Sequence, residues 1–251
     1  MKRFTSLVGV AVAATITLAL AAPASADSYP NRTIHLVVGF PPGGTTDIVA
    51  RLIAPKMAET LGQTVIVENR PGAGGTIGAA HVAEADPDGY TLMLGSVSNL
   101  AMASALYKSL PYDSTKDFAP VALVAASPNI MVVNPAFPVH SVKDLIKLAK
   151  EKPGTINYAS AGIGTSNHLT VELLKVMTGI DIVHVPFKGD TPAVTAVLAN
   201  QVPMMFPTLP VALPYIKSGK LRAIAVSSEK RSTLLADVPT VAESAGMQKL
   251  G

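Results

Sequence analysis

The sequence contains no cysteine. Disulfide support, thiolate nucleophiles and cysteine-based metal sites are excluded, so a hydrophobic core must carry the stability. At 49% hydrophobic residues the chain has the material for one. Motifs for several chemistries are missing as well. No G-x-x-x-x-G-K-[ST] loop occurs. Gly162-Ile163-Gly164 runs on to Asn167, and Gly72-Ala73-Gly74 to Ile77, where a dinucleotide fingerprint needs a third glycine. There is no G-x-S-x-G and no H-E-x-x-H. Ser227-Ser228-Glu229-Lys230 has S-x-x-K spacing but lacks the S-D-N and K-T-G partners, and reads as a loop entering a surface helix. The five histidines are scattered. No catalytic residue, metal ligand or cofactor is expected, and an exported enzyme is the weaker reading.

What is present begins with an export signal. Lys2 and Arg3 precede an apolar stretch over about 7–22, Pro23 breaks it, and Ala24-Ser25-Ala26 supplies a small-x-small cleavage pattern. The stretch is short of the roughly 20 residues a membrane span needs. A signal peptide at 1–26 and a periplasmic, soluble mature chain are therefore expected. Two of the 20 Lys+Arg leave with that peptide, against 17 Asp+Glu. The mature charge is near neutral, with no basic run to suggest nucleic acid.

Further along, short β-rich runs alternate with helical patterns. Strands are predicted at 34–40, 64–68, 90–94, near 121–125 and 129–133, then at 156–159, 182–185, 204–206 and 221–226. Helices are predicted at 45–61 (kinked by Pro55), 76–85, from Ser141 to about 150, at 166–177, at 192–199 with Thr191 as N-cap, and near 211–217. The alternation predicts an α/β fold with mostly parallel sheets. The two halves share one plan: strand, Gly-rich turn, Thr/Ser-capped helix. Crossings between two domains are expected near 125–135 and near Ser227. The expected domains are 27–126 plus 227–251, and 127–226.

The two Gly-rich turns carry the functional reading. Pro42-Gly43-Gly44-Thr45-Thr46 and Ala161-Gly162-Ile163-Gly164-Thr165-Ser166 each lead from a strand into a helix N-terminus. Such a place offers free N–H groups and the positive end of the helix dipole, with hydroxyl donors beside them. Either turn alone is also an ordinary βα connection. Two together in an exported chain point to an anion held between them. Neither turn contains Arg or Lys, so backbone and hydroxyls would hold the anion, directly or through water. Asp47 suits the dipole, or accepts from a ligand amine or hydroxyl. His168 lines the cleft, or acts as packing or a hydrogen-bond bracket. Lys188 reaches the cleft, or is solvated.

These residues resemble the periplasmic receptors of tripartite tricarboxylate transporters, the Bug-type solute-binding proteins. The resemblance rests on Tyr29-Pro30, Pro41-Pro42-Gly43-Gly44-Thr45-Thr46-Asp47, Val67-Glu68-Asn69-Arg70-Pro71-Gly72-Ala73-Gly74-Gly75 and Pro87-Asp88-Gly89-Tyr90-Thr91-Leu92. It continues in Gly162-Ile163-Gly164-Thr165-Ser166-Asn167-His168-Leu169, Pro186-Phe187-Lys188-Gly189, Ser218-Gly219-Lys220-Leu221-Arg222 and Pro239-Thr240-Val241-Ala242-Glu243. It implies a type II periplasmic-binding fold, with two α/β domains closing over a small carboxylate. The pockets would be 42–47 and 161–166, with Ser96 and Ser98 from a neighbouring loop and Phe187, Lys188 and Gly189 from the second domain. It also implies a monomer that docks on a membrane permease.

Two departures stand out. The family's Asp-Asn or Asp-Ser pair after a Met-Phe strand is Pro207-Thr208 here. Family members also run on past the Pro239–Glu243 motif, so the resemblance implies a C-terminally truncated first domain. Rival readings are a receptor feeding a sensor and a truncated product that does not fold. Neighbouring genes separate the first from a transport receptor, and soluble expression the second.

Overall fold

The computed structural model describes residues 28–246. The expected signal peptide and residues 247–251 lie outside them. The described residues from Arg32 onward form one compact unit. No helix among the described residues is long and apolar enough to cross a membrane.

Two sheets organise the compact unit. The first has the order β2-β1-β3, from β1 (Ile34–Val38), β2 (Val65–Asn69) and β3 (Thr91–Met93), all parallel. β1 is central and rich in β-branched residues; Ile34, Val37 and Val38 are wholly buried. Helix α1 (Thr45–Leu61) covers one face, packing Ala50, Ala54, Ile53 and Met57 against Leu36, Val38, Val65 and Val67. Pro55 lies inside α1, which continues past it to Leu61. Helix α2 (Thr76–Ala83) and the short α3 (Ala103–Leu106) follow.

The second sheet has the order β6-β5-β7-β4-β8, from β4 (Ile130–Val133), β5 (Asn157–Ser160), β6 (Val183–Pro186), β7 (Met204–Met205) and β8 (Arg222–Val226). It is not purely parallel. β4 runs antiparallel to both β7 and β8, because the chain enters this sheet from the opposite end. The period of two along β4 splits its side chains between two cores. Met131 and Val133 face a layer containing Leu145 of α4 (Val142–Glu151), Val171 and Leu174 of α5 (Ser166–Thr178), and Val241 of α8 (Val241–Ala245). Ile130 and Val132 face Val194 and Val197 of α6 (Asp190–Leu198) and Ala212 of α7 (Leu209–Lys217).

Three expectations need correcting. The segment near 121–125 forms no strand. Val121 and Leu123 are 87% and 88% exposed, and no described strand offers them an edge. Helix α6 starts at Asp190 with Gly189 as N-cap, two residues before Pro192. Pro192 thus stands at the third helical position, where its missing N–H costs nothing. The Thr191 hydroxyl, expected to cap, instead donates to the Pro42 carbonyl at 3.3 Å. Finally, the segment after Ser227 stays on the second sheet as far as it is described. Val226 N–H donates to Pro239 O at 2.9 Å, and Val142 N–H to Ser244 Oγ at 2.9 Å.

Candidate functional site

Both Gly-rich turns lie at the C-terminal ends of parallel strands, where α/β sheets place ligands. The first connects β1 to α1. Gly43 has φ 82°, a conformation glycine allows, and a Cβ there would sit 3.0 Å from Thr191 Oγ1. Gly44 is the N-cap. Asp47, 3% exposed, folds back so that Gly43 N–H donates to its Oδ2 at 2.9 Å. Arg51 Nε donates to both Asp47 oxygens at 3.0 Å, and Asn69 Nδ2 to Oδ1 at 2.9 Å. Burial alone would raise the Asp47 carboxyl. The hydrogen bonds from Arg51, Gly43 and Asn69, with the Arg51 charge, outweigh that and hold it below the ordinary value. Asp47 therefore braces the turn with both oxygens engaged.

The second turn connects β5 to α5. Gly162 and Gly164 have φ 133° and 78°, and Thr165 Oγ1 donates to Gly162 O at 2.7 Å. Two histidines brace it from behind. Gly164 N–H donates to His168 Nδ1 at 3.2 Å, which requires that nitrogen to be unprotonated. Ser160 Oγ accepts from Gly162 N–H at 3.1 Å and lies 2.6 Å from His184 Nε2. Tyr158, His184 and His168 form one stack, with ring centroids 4.9 and 4.1 Å apart. Tyr158 OH donates to Glu172 at 2.6 Å, and Lys175 to the same carboxylate at 2.9 Å. Burial lowers His168, and lowers His184 to about 4, with the charge of His168 adding to the latter. His168 thus brackets the turn through Nδ1.

The turns meet each other. Ser166 N–H donates to Ser98 Oγ at 3.2 Å, and the Thr45 and Thr208 hydroxyls hydrogen-bond. A Cβ on Gly189 would lie 2.8 Å from the Pro41 ring. Asn167 Nδ2 donates to Phe206 O at 3.0 Å and to Asp190 Oδ1 at 3.2 Å, and Thr45 N–H is directed at the same Asp190 carboxylate. The N–H groups of Thr46 and Asp47 in α1, and of Asn167 and His168 in α5, have no acceptor within their own helices. What the arrangement offers is backbone donors and hydroxyls from two helix starts. Among the described residues no group of three or more His, Cys, Asp or Glu gathers to hold a metal.

Other expected residues divide. Pro42, Gly44, Thr45, Gly164, Ser166, Ser98 and Gly189 make contacts between the two halves, while Gly162 and Thr165 bond within their own turn. Ala161 O accepts from Gly189 N–H at 3.0 Å, and Phe187 packs into the second core. Ser96 bonds Asn99 Oδ1 at 3.1 Å in its own turn, and Lys188 is exposed. Sequence reasoning missed Asp190, Asn167, Thr208, Ser160 and His184. The one available signal was an acid beside the Gly189 turn. At Pro207 the backbone carbonyl accepts from Ile130 N–H at 2.8 Å, and Thr208 supplies the polar contact to Thr45.

Residues 49–250 match the family described as the tripartite tricarboxylate transporter family receptor. The chain belongs to that family. Protein BugT of Bordetella pertussis is 42% identical to this receptor over 244 residues, covering 97% of this chain and 74% of BugT. Among solved structures, Rpa4515 of R. palustris with adipate matches with a TM-score of 0.84 and 39% identity, over 86% of this receptor and 72% of that chain. MatC of Rhodopseudomonas palustris with bound malate matches with a TM-score of 0.81 and 38% identity, over 86% and 74%. These neighbours establish for the receptor the two-sheet α/β architecture of periplasmic binding proteins.

Proposed function

We propose that this protein is a periplasmic solute-binding receptor that captures a small carboxylate by clamp closure and passes it to a membrane permease. The observation carrying the reading is that both helix N-termini, of α1 and α5, are tied to the opposite half, Ser166 of α5 to Ser98 and Thr45 of α1 to Thr208, with the Asp190 carboxylate reached by both Thr45 and Asn167. The donors they present suit an anion, and a partly buried helix terminus contributes up to about 2 kcal/mol toward one. Adipate and malate in the two related structures support that ligand class. Binding is reversible, with no covalent step. Each turn belongs to one jaw, built on its own sheet, and the ligand favours closure because only then do both termini reach it. Membership of a transporter receptor family supports delivery to a permease.

A thermal-shift screen of the purified chain against small carboxylates, malate and adipate included, tests the reading. Native-state binding at a hundredfold excess over Kd adds about 2.7 kcal/mol of apparent stability. A shift with one acid, lost on replacing the Gly162–Ser166 turn, is expected. A cooperative melt that no acid moves would count against it.

A further inference from the structure

Asp190 is a partly buried carboxylate that the receptor reading has not used. It is the first residue of α6, yet its side chain turns toward the other jaw. Oδ1 accepts from Asn167 of α5, Thr45 N–H of α1 faces the carboxylate, and a Cβ on Gly44 would lie 3.6 Å from Oδ2. It therefore sits where both Gly-rich turns and both helix starts converge.

Its electrostatic situation differs from that of Asp47, one turn away. Asp47 is paired with Arg51 and pulled below the ordinary carboxylate value. Among the described residues no Lys or Arg pairs with Asp190, and only neutral donors serve it. Burial raises its carboxyl to about 6 against the lowering by Asn167 and Thr45, yet it is ionised at pH 7.5. A partly desolvated anion lacking a cation carries a cost that a cation brought by a ligand recovers. A second anion at the same place meets repulsion instead.

We propose that Asp190 determines the specificity of the cleft by binding the ammonium group of an amino-substituted acid, whose carboxylate the α5 N-terminus holds. This rests on the carboxylate-receptor reading and narrows its ligand class to zwitterionic acids. The unpaired Asn167 and His168 N–H groups of α5 remain for the carboxylate, while the α1 side of the cleft is already negative. The competing role for Asp190 is purely structural: an acid in the first turn of α6, clamping the jaws.

Isothermal titration of the full chain at pH 7.5 with matched acids decides between them. The pairs are succinate and aspartate, glutarate and glutamate, adipate and 2-aminoadipate, each differing by one ammonium. The wild type should favour the ammonium member of a binding pair by about tenfold or more. Asp190→Asn should shrink that preference to within about threefold and strengthen the plain diacid. Asp190→Ser serves if the Asn variant fails to melt cooperatively. A wild type that binds the plain diacid as tightly in every binding pair overturns the proposal without any variant. So does a variant that keeps the preference, which would leave Asp190 a structural clamp and the receptor reading intact. If the folded wild type binds neither member of any pair and no other carboxylate, the receptor reading falls and this one with it.

Discussion

His168 and His184 stack with ring centroids 4.1 Å apart and planes inclined by 21°, directly behind the second Gly-rich turn. Two imidazoles so close cannot both carry charge cheaply, and the Gly164 N–H donated to His168 Nδ1 demands a neutral ring. The pair thus links the protonation state of the protein to the shape of its ligand turn.

Stability should fall as the pH drops from about 6.5 toward 4. Burial holds His184 down to about 4 and lowers His168, so in that window the unfolded chain binds protons that the folded chain refuses. The stabilisation is full above the ordinary histidine value and is lost as pH falls through the folded one. Glu172, held below its ordinary value despite burial by Tyr158 and Lys175, adds to the loss at still lower pH. Asp190 opposes it, because its raised carboxyl favours the folded state as pH falls from about 6. The His184 and Asp190 shifts largely offset each other, so with solvent screening the net loss should be about 1 kcal/mol or less. Urea midpoints at pH 7.5 and 4.5 measure it, and the difference should shrink in His184→Phe. Equal midpoints in the wild type would refute it.

Asp47→Ala should cost about 3 kcal/mol, because it strands Gly43 N–H, Asn69 Nδ2 and the Arg51 guanidinium around a buried gap. Chemical denaturation reads the loss. Asp47→Asn should recover part of it, since an amide oxygen still accepts from Gly43. A loss below about 0.5 kcal/mol would show the bracket to be unnecessary.

Replacing Gly43 by alanine forces a side chain onto φ 82° and brings its Cβ to 3.0 Å from Thr191 Oγ1. The strain is about 1–3 kcal/mol. Because Thr191 belongs to the opposing α6, ligand affinity should fall along with stability, by tenfold or more. An alanine variant with wild-type affinity in the same titration would place closure elsewhere.

Ser98→Ala removes the acceptor of the Ser166 N–H, and Thr208→Val the hydroxyl partner of Thr45. Each should weaken carboxylate binding by roughly fivefold, about 1 kcal/mol, while moving the ligand-free melt little. Asn129 links the two contacts, accepting from Ser166 Oγ at 3.5 Å and bridging to Thr208, so the double variant should depart from the product. Calorimetry of the four proteins tests this, and unchanged affinity in both single variants would dismiss the cross-turn contacts as incidental.

By itself the sequence determined the parts that depend on local chemistry. The periodicity of 34–40 and 45–61 identifies β1 and α1, and glycines before Thr45 and Thr165 mark both turns, because only glycine takes their positive φ cheaply. A fold class followed from the alternation of strands and helices and from the family resemblance the motifs carry. Only the tertiary structure decided the rest. The direction of β4 depends on which edge the chain reaches after the crossing, and the exposure of Val121 and Leu123 on whether a partner strand lies beside them. Asp47 and Asp190 are alike as acids in the first turn of a helix. One became a brace paired with a cation and the other a carboxylate served by neutral donors alone, because Arg51 sits four residues along one helix, while Asn167 and Thr45 reach the other from distant segments. Sequence spacing encodes the first relation. The second exists only once two turns are brought face to face.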